Sequence, residues 1–183
     1  MKKRLSMPFR DVYGRDYFCG AVLWAADRGI TAGVSAAAFR PYGLCTRAQA
    51  AVMLWRTAGS PLPERRSSPF RDVKPDAYYS DAVLWAVEQG VAAGVSDSAF
   101  RPNAPVSRAQ ALVLLWRWAG APLTGGGSFA DVPDGAFCAD AIRWAAARGI
   151  TLGISPTAFH PHWGCTRAQM VTFLHRAASE VAN

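Results

Sequence analysis

The apolar positions of this chain fall into two kinds of run, and the two alternate. In the first kind the spacing is helical: Phe18, Ala21, Val22, Ala25 and Ala26 stand at i, i+3, i+4, i+7 and i+8, a single stripe. Gly29 follows, where a helix C-terminus commonly takes a glycine. In the second kind almost every position is apolar, as in Ala50-Ala51-Val52-Met53-Leu54-Trp55. That run predicts a helix from Arg47 to Ala58, ended by Gly59. A helix without a wide polar face must be covered on several sides. Between the two runs, Ile30 to Cys45 has no period and carries Gly33, Phe39 and Pro41, so it reads as a loop.

The same order occurs three times. Phe9-Arg10-Asp11-Val12 returns as Phe70-Arg71-Asp72-Val73 and as Phe129-Ala130-Asp131-Val132. Gly33-Val34-Ser35, Gly94-Val95-Ser96 and Gly153-Ile154-Ser155 correspond, as do Phe39-Arg40-Pro41, Phe100-Arg101-Pro102 and Phe159-His160-Pro161. The offsets hold at 61 and then 59 residues throughout. The expected organisation is an N-terminal extension 1–8, units at 9–59, 70–120 and 129–179, linkers 60–69 and 121–128, and a tail 180–183. One helix-loop-helix unit cannot cover its own second helix. Three can, if their second helices meet about a common axis. The expectation is a mainly α, closed, pseudo-threefold assembly with grooves between units.

The second helices share a start: Thr46-Arg47-Ala48-Gln49, Ser107-Arg108-Ala109-Gln110 and Thr166-Arg167-Ala168-Gln169. A hydroxyl residue followed three positions later by Gln, ahead of an apolar run, is a capping box. The box explains the Thr and the Gln but not the Arg. A cation in the first turn opposes the helix dipole by a few tenths of a kcal/mol or more. Arg47, Arg108 and Arg167 beside helix N–H groups therefore suggest an anion site. The competing reading pairs each Arg with an Asp of the fold, leaving a structural or protein-binding module.

These motifs, Phe-x-Asp-Val, the Trp-Ala helix, Gly-Ile/Val-x-x-Gly, Phe-x-Pro and Thr-Arg-Ala-Gln, resemble the S-layer homology domain family over about residues 9–179. The resemblance implies a trio of repeats forming a three-pronged spindle. It also implies non-covalent anchoring of bacterial surface proteins to cell-wall polysaccharide, often pyruvylated, with no catalysis and no cofactor. The Arg of the family's Thr-Arg-Ala-Glu motif falls on Arg47, Arg108 and Arg167, and Gln49, Gln110 and Gln169 replace its Glu. Gln still caps the helix, and without the carboxylate the site is more positive. One charge-assisted contact contributes about 1.5–3 kcal/mol. Several linked grooves would raise avidity by roughly two to four orders of magnitude.

Composition adds a sign and an exclusion. The chain has 20 Lys and Arg against 13 Asp and Glu, a net charge of +7, which suits an acidic partner. No unit carries the Lys/Arg stripe of a nucleic-acid reader. No apolar run approaches a membrane span. Met1-Lys2-Lys3-Arg4 begins like an export signal, but Met7-Pro8-Phe9-Arg10 follows in place of an apolar segment. The chain then reads as a monomeric trio carried by a larger exported surface protein.

Other residues invite more than one reading. Trp24, Trp85 and Trp144 could stack on a sugar or pack unit on unit. Trp55 and Trp116, with His175 in the third unit, read as core. Asp11, Asp72 and Asp131 read as fixing the turn before each first helix rather than as catalytic carboxylates. His160, His162 and Cys165 stand where other units have non-ligating residues, which argues against a metal. Cys19 and Cys45 occur together in the first unit and Cys138 and Cys165 in the third, while the middle unit lacks both. That co-occurrence predicts disulfides Cys19–Cys45 and Cys138–Cys165; the alternative is four buried thiols.

Overall fold

A computed structural model describes residues 6–127 and 129–181. Residues 1–5, 128, 182 and 183 lie outside the described residues, and with them most of the expected N-terminal extension, its signal-like start, and part of the tail. Among the described residues there are six helices and no strand: α1 Cys19–Asp27, α2 Arg47–Thr57, α3 Ser80–Glu88, α4 Arg108–Trp118, α5 Ala139–Ala147 and α6 Arg167–Val181.

The second helices start as their sequence dictates. Thr46 and Ser107 each take the Gln N–H on the hydroxyl and give their own N–H to the Gln side chain, completing both halves of the box. Thr166 and Gln169 exchange the same pair of bonds. The first helices have no side-chain cap at Phe18, Tyr79 or Cys138. They end at Gly29, Gly90 and Gly149, which take the left-handed conformation with φ near +65°.

Each second helix packs chiefly against the first helix of a different unit: α2 on α3, α4 on α5, and α6 back on α1. α6 also meets α2 and α4. Nearly every side of the second helices is thereby covered. Ala50, Leu54, Ala111, Leu112, Leu115, Met170, Val171 and Leu174 are fully buried.

The backbone closes the same circuit. Cys45 N–H donates to Cys165 O, Cys165 N–H to Val106 O, and Val106 N–H to Cys45 O, each at 2.9 Å. The loop of each unit also caps the second helix of another. Arg47 and Ala48 N–H donate to Ala104 and Pro102 O, Arg108 and Ala109 to Trp163 and Pro161, and Arg167 and Ala168 to Gly43 and Pro41. With the third N–H of each helix on the cap hydroxyl, the donors expected to meet an anion are already satisfied. This overturns that part of the sequence reading: an anion here must bind through side chains.

The exchange of partners also removes the expected disulfides. Cys19, Cys45, Cys138 and Cys165 are all free thiols. Cys45 precedes α2, which lies on α3, whereas Cys19 belongs to α1, which lies on α6. Cys138 is likewise at the start of α5, packed on α4, while Cys165 precedes α6. The bridges were placed within units, and the helices they would join sit in different pairs.

The Asp residues reach further than a local turn. Asp11 accepts the N–H groups of Phe39 and Arg40 at 2.8 and 2.7 Å, Asp72 those of Phe100 and Arg101, and Asp131 those of Phe159 and His160. The carboxylate thus ties the entrance of the unit to its far loop. Phe9, Phe70 and Phe129 lie in the same seam, where a Cβ on Gly33 would come within 2.5 Å of the Phe9 ring and of Ala38 O. Glycine is required there by close approach.

Candidate anion-binding grooves

The three arginines sit at junctions between units, and none forms a direct ion pair with a carboxylate of the described residues, although Asp72, Asp131 and Asp11 act on Arg47, Arg108 and Arg167 at longer range. Arg167 Nε donates to Phe39 O at 2.7 Å with its guanidinium 4.7 Å from the Phe39 ring centroid. Arg108 repeats this on Phe159, at 2.9 and 4.5 Å. Arg47 does so on Phe100, at 2.7 and 4.5 Å. A cation on an aromatic face with a carbonyl acceptor is a stable seat. Burial pushes all three guanidiniums down from their usual pKa, yet an arginine remains charged near neutrality.

Beyond that seat the three differ. Arg108 and Arg167 are 2% and 4% exposed, and their Nη2 atoms are buried without an acceptor. A buried charged donor left unmet costs about 1–3 kcal/mol or more. Each lies at a groove. One, of about 370 Å³, is lined by Thr31, Gly33, Gln49 and Arg56 of the first unit, Tyr78 of the second and Arg167 of the third. The other, of about 440 Å³, repeats it with Thr151, Gly153, Gln169 and Arg176 of the third unit, Tyr17 of the first and Arg108 of the second. All three units contribute to each groove.

The chemistry of these grooves is that of a donor set. Gln49 and Gln169 use Oε1 on the helix cap, which leaves the NH2 group for a ligand. Thr31 and Thr151 accept from Gly33 and Gly153 N–H, which leaves the hydroxyl hydrogen. Burial raises the Tyr78 phenol pKa, as does Tyr79, while Arg167 and Arg56 act the other way. Burial likewise raises Tyr17, with Arg108 and Arg176 opposing. Both phenols stay protonated at neutral pH and can donate. Arg56 and Arg176 also hold Ile30 and Ile150 carbonyls at 3.2 and 3.1 Å.

The matching surface of the middle unit is built differently. Ala92 stands for Thr31, Phe137 for Tyr78, and Arg47 Nη2 donates to Ala93 O at 2.7 Å. Separately, a small interior void of about 10 Å³ lies behind Arg47, walled by Ala51, Leu54, Ala86 and Phe100.

The sequence pattern of the S-layer homology domain matches residues 8–51, 69–112 and 128–171, most of the chain. This chain belongs to the S-layer homology domain family. It is similar to a surface-layer 125 kDa protein of Lysinibacillus sphaericus, 36% identical over 95 residues, 52% of this chain and 8% of that protein. It is also similar to a cell surface protein of Thermoanaerobacter kivui, 31% identical over 117 residues, 61% of this chain and 15% of that one. An endoglucanase of Bacillus sp. (strain KSM-635) matches at 30% over 115 residues, 63% of this chain and 12% of the enzyme. The chain thus spans a small part of the curated relatives it matches. Three S-layer homology repeats indicate a cell-surface or cell-wall location and an anchoring role, typically non-catalytic. No described helix is long and apolar enough to cross a membrane.

The remaining candidates of these S-layer homology repeats lie elsewhere. Trp85 and Trp144 are buried, 6% and 2% exposed, and have no face to offer a sugar. Trp24 is half-buried with its ring 4.8 Å from His175, on the wall of a separate cavity shared with Arg28, Arg56 and Trp118. Trp55 and Trp116 are half-buried and packed against the core, and they also donate Nε1–H to Pro61 and Pro122 O, which latches the linkers. His160 stacks on Trp163 at 4.0 Å, with its Nδ1 4.0 Å from Asp131. Gln110 stands by the middle unit's helix start and is exposed. Sequence reasoning missed Tyr17, Tyr78, Thr31 and Thr151. Their signal was agreement between the first and third units, or between the first and second for the tyrosines, at the 61- and 59-residue offsets.

Proposed function

We propose that this chain is a non-catalytic anchor that holds a larger surface protein to an anionic, pyruvylated secondary cell-wall polysaccharide, bound in grooves between its repeats. The observation that carries the reading is that Arg108 and Arg167, each with a buried guanidinium nitrogen that lacks an acceptor, line equivalent grooves. A pyruvyl ketal is a carboxylate fixed to a sugar ring. It supplies the acceptor that the guanidinium lacks, and the ring hydroxyls meet Gln, Thr and Tyr donors. The cyclic backbone bonds support a pseudo-threefold, three-pronged form with repeat boundaries 9–59, 70–120 and 129–179.

A second reading has support in the seats themselves: each Arg serves the fold through its Nε bond and its Phe ring. Co-sedimentation with purified cell walls, before and after the secondary polysaccharide is stripped, separates the two. Loss of binding on stripping supports the anchor. Unchanged binding defeats it. Tyr17→Phe combined with Tyr78→Phe provides a milder variant than any change at Arg, because the third repeat already carries Phe137 at that position.

A further inference from the structure

Building on that reading, we infer that the module is bivalent: the grooves bordered by Arg108 and Arg167 take an acidic sugar, and the surface beside Arg47 does not.

Three differences, at separate positions, point the same way. First, the guanidinium of Arg47 has no unmet nitrogen among the buried atoms, because its Nη2 bonds Ala93 O while its Nε bonds Phe100 O. The Nη2 of Arg47 is thus already engaged, where those of Arg108 and Arg167 have a bond still to gain. Second, two donors are missing. Ala92 lacks the hydroxyl of Thr31 and Thr151, and Phe137 lacks the phenol of Tyr17 and Tyr78. A ligand hydroxyl buried against Ala and Phe would lose its bonds to water and gain none. Third, Arg56 and Arg176 fold onto Ile30 and Ile150 carbonyls beside their grooves, whereas their counterpart Arg117 is exposed.

The two open grooves are not identical. Besides Arg108 Nη2, the one in the third unit has a second buried polar atom without a partner, Thr172 Oγ1, where the first unit has Val52. Arg108 and Thr172 both line that groove.

Isothermal titration of the full chain with a methyl glycoside of a pyruvylated N-acetylamino sugar measures the number of sites. The expected result is about two equivalents bound. Thr151→Ala with Tyr17→Phe should remove one site and leave the other, and Thr31→Ala with Tyr78→Phe should do the reverse. These changes copy Ala92 of the middle repeat and Phe137 of the third, so they are compatible with the fold, and unchanged circular dichroism checks this. Phe137→Glu, which sets a carboxylate at the edge of the third surface, should leave two equivalents. Three equivalents, or a drop on Phe137→Glu, overturns bivalency while the anchoring reading stands. No uptake of the glycoside by the unaltered chain overturns both.

Discussion

Arg40, Arg101 and His160 hold φ near +57°, a conformation that costs a residue with a side chain about 1–2 kcal/mol. In each unit one carboxylate meets that cost by accepting the strained residue's N–H and its predecessor's. Replacing Asp11 with Asn turns one acceptor into a donor facing a donor, and should lower unfolding free energy by about 1–3 kcal/mol in urea titrations. Desolvation pushes the pKa values of Asp11, Asp72 and Asp131 upward, but the paired backbone N–H groups outweigh it and all three lie below the ordinary 3.8. Depressed carboxylates add stability that is in full above the unfolded value and is lost as pH falls through the folded one. The melting temperature should therefore hold from pH 7 to about 5 and fall below about 4. The thiols give a third check. Four should titrate in denaturant without reductant, but in the native protein only Cys19, the half-exposed one, should react quickly. Cys45 is fully buried, which pushes its thiol up to about 12, and Cys165 is raised further. The capping Thr and Gln were legible because their bonds span three residues. The Asp partners lie 28 and 29 residues away, and no local pattern announces them.

The helices themselves were readable from periodicity, and so was the need to cover the second helix on nearly every side. What an apolar face does not encode is whose face covers it. For that reason the disulfides the sequence predicts do not form: helices adjacent in the chain are not adjacent in space, and the fold pairs α1 with α6 instead. The same gap hid the fate of the helix N–H groups, which loop carbonyls of another unit accept. Removing one cap hydroxyl, by Thr166→Ala, should cost about 1 kcal/mol. Arg167→Ala should cost more, about 1.5–3 kcal/mol, because it strips the Phe39 carbonyl bond and the ring contact together. Thermal denaturation of the two variants tests the order. If Arg167→Ala proves the milder, the arginine is not a structural joint.

Taken together, the three repeats make a circuit rather than a row. α6 returns to α1, and the bonds among Cys45, Val106 and Cys165 close at the centre. In an open solenoid a terminal repeat can be removed with a loss confined to one interface. Here, deleting residues 129–183 takes the partners of α1 and of α4 at once, so the fragment 1–128 should lack a cooperative melting transition. A sharp transition in that fragment would contradict the circuit. The circuit was legible in the sequence only as a requirement for burial, while the identity of the open grooves needed Thr31, Tyr78 and Arg167 from three different repeats to be seen side by side. For a protein fastened at a surface, closure has a mechanical meaning. Tension entering at either end of the chain reaches a helix clamped by the opposite end. The trio then yields as one body or not at all, and a tether of this kind gives way abruptly instead of unravelling link by link.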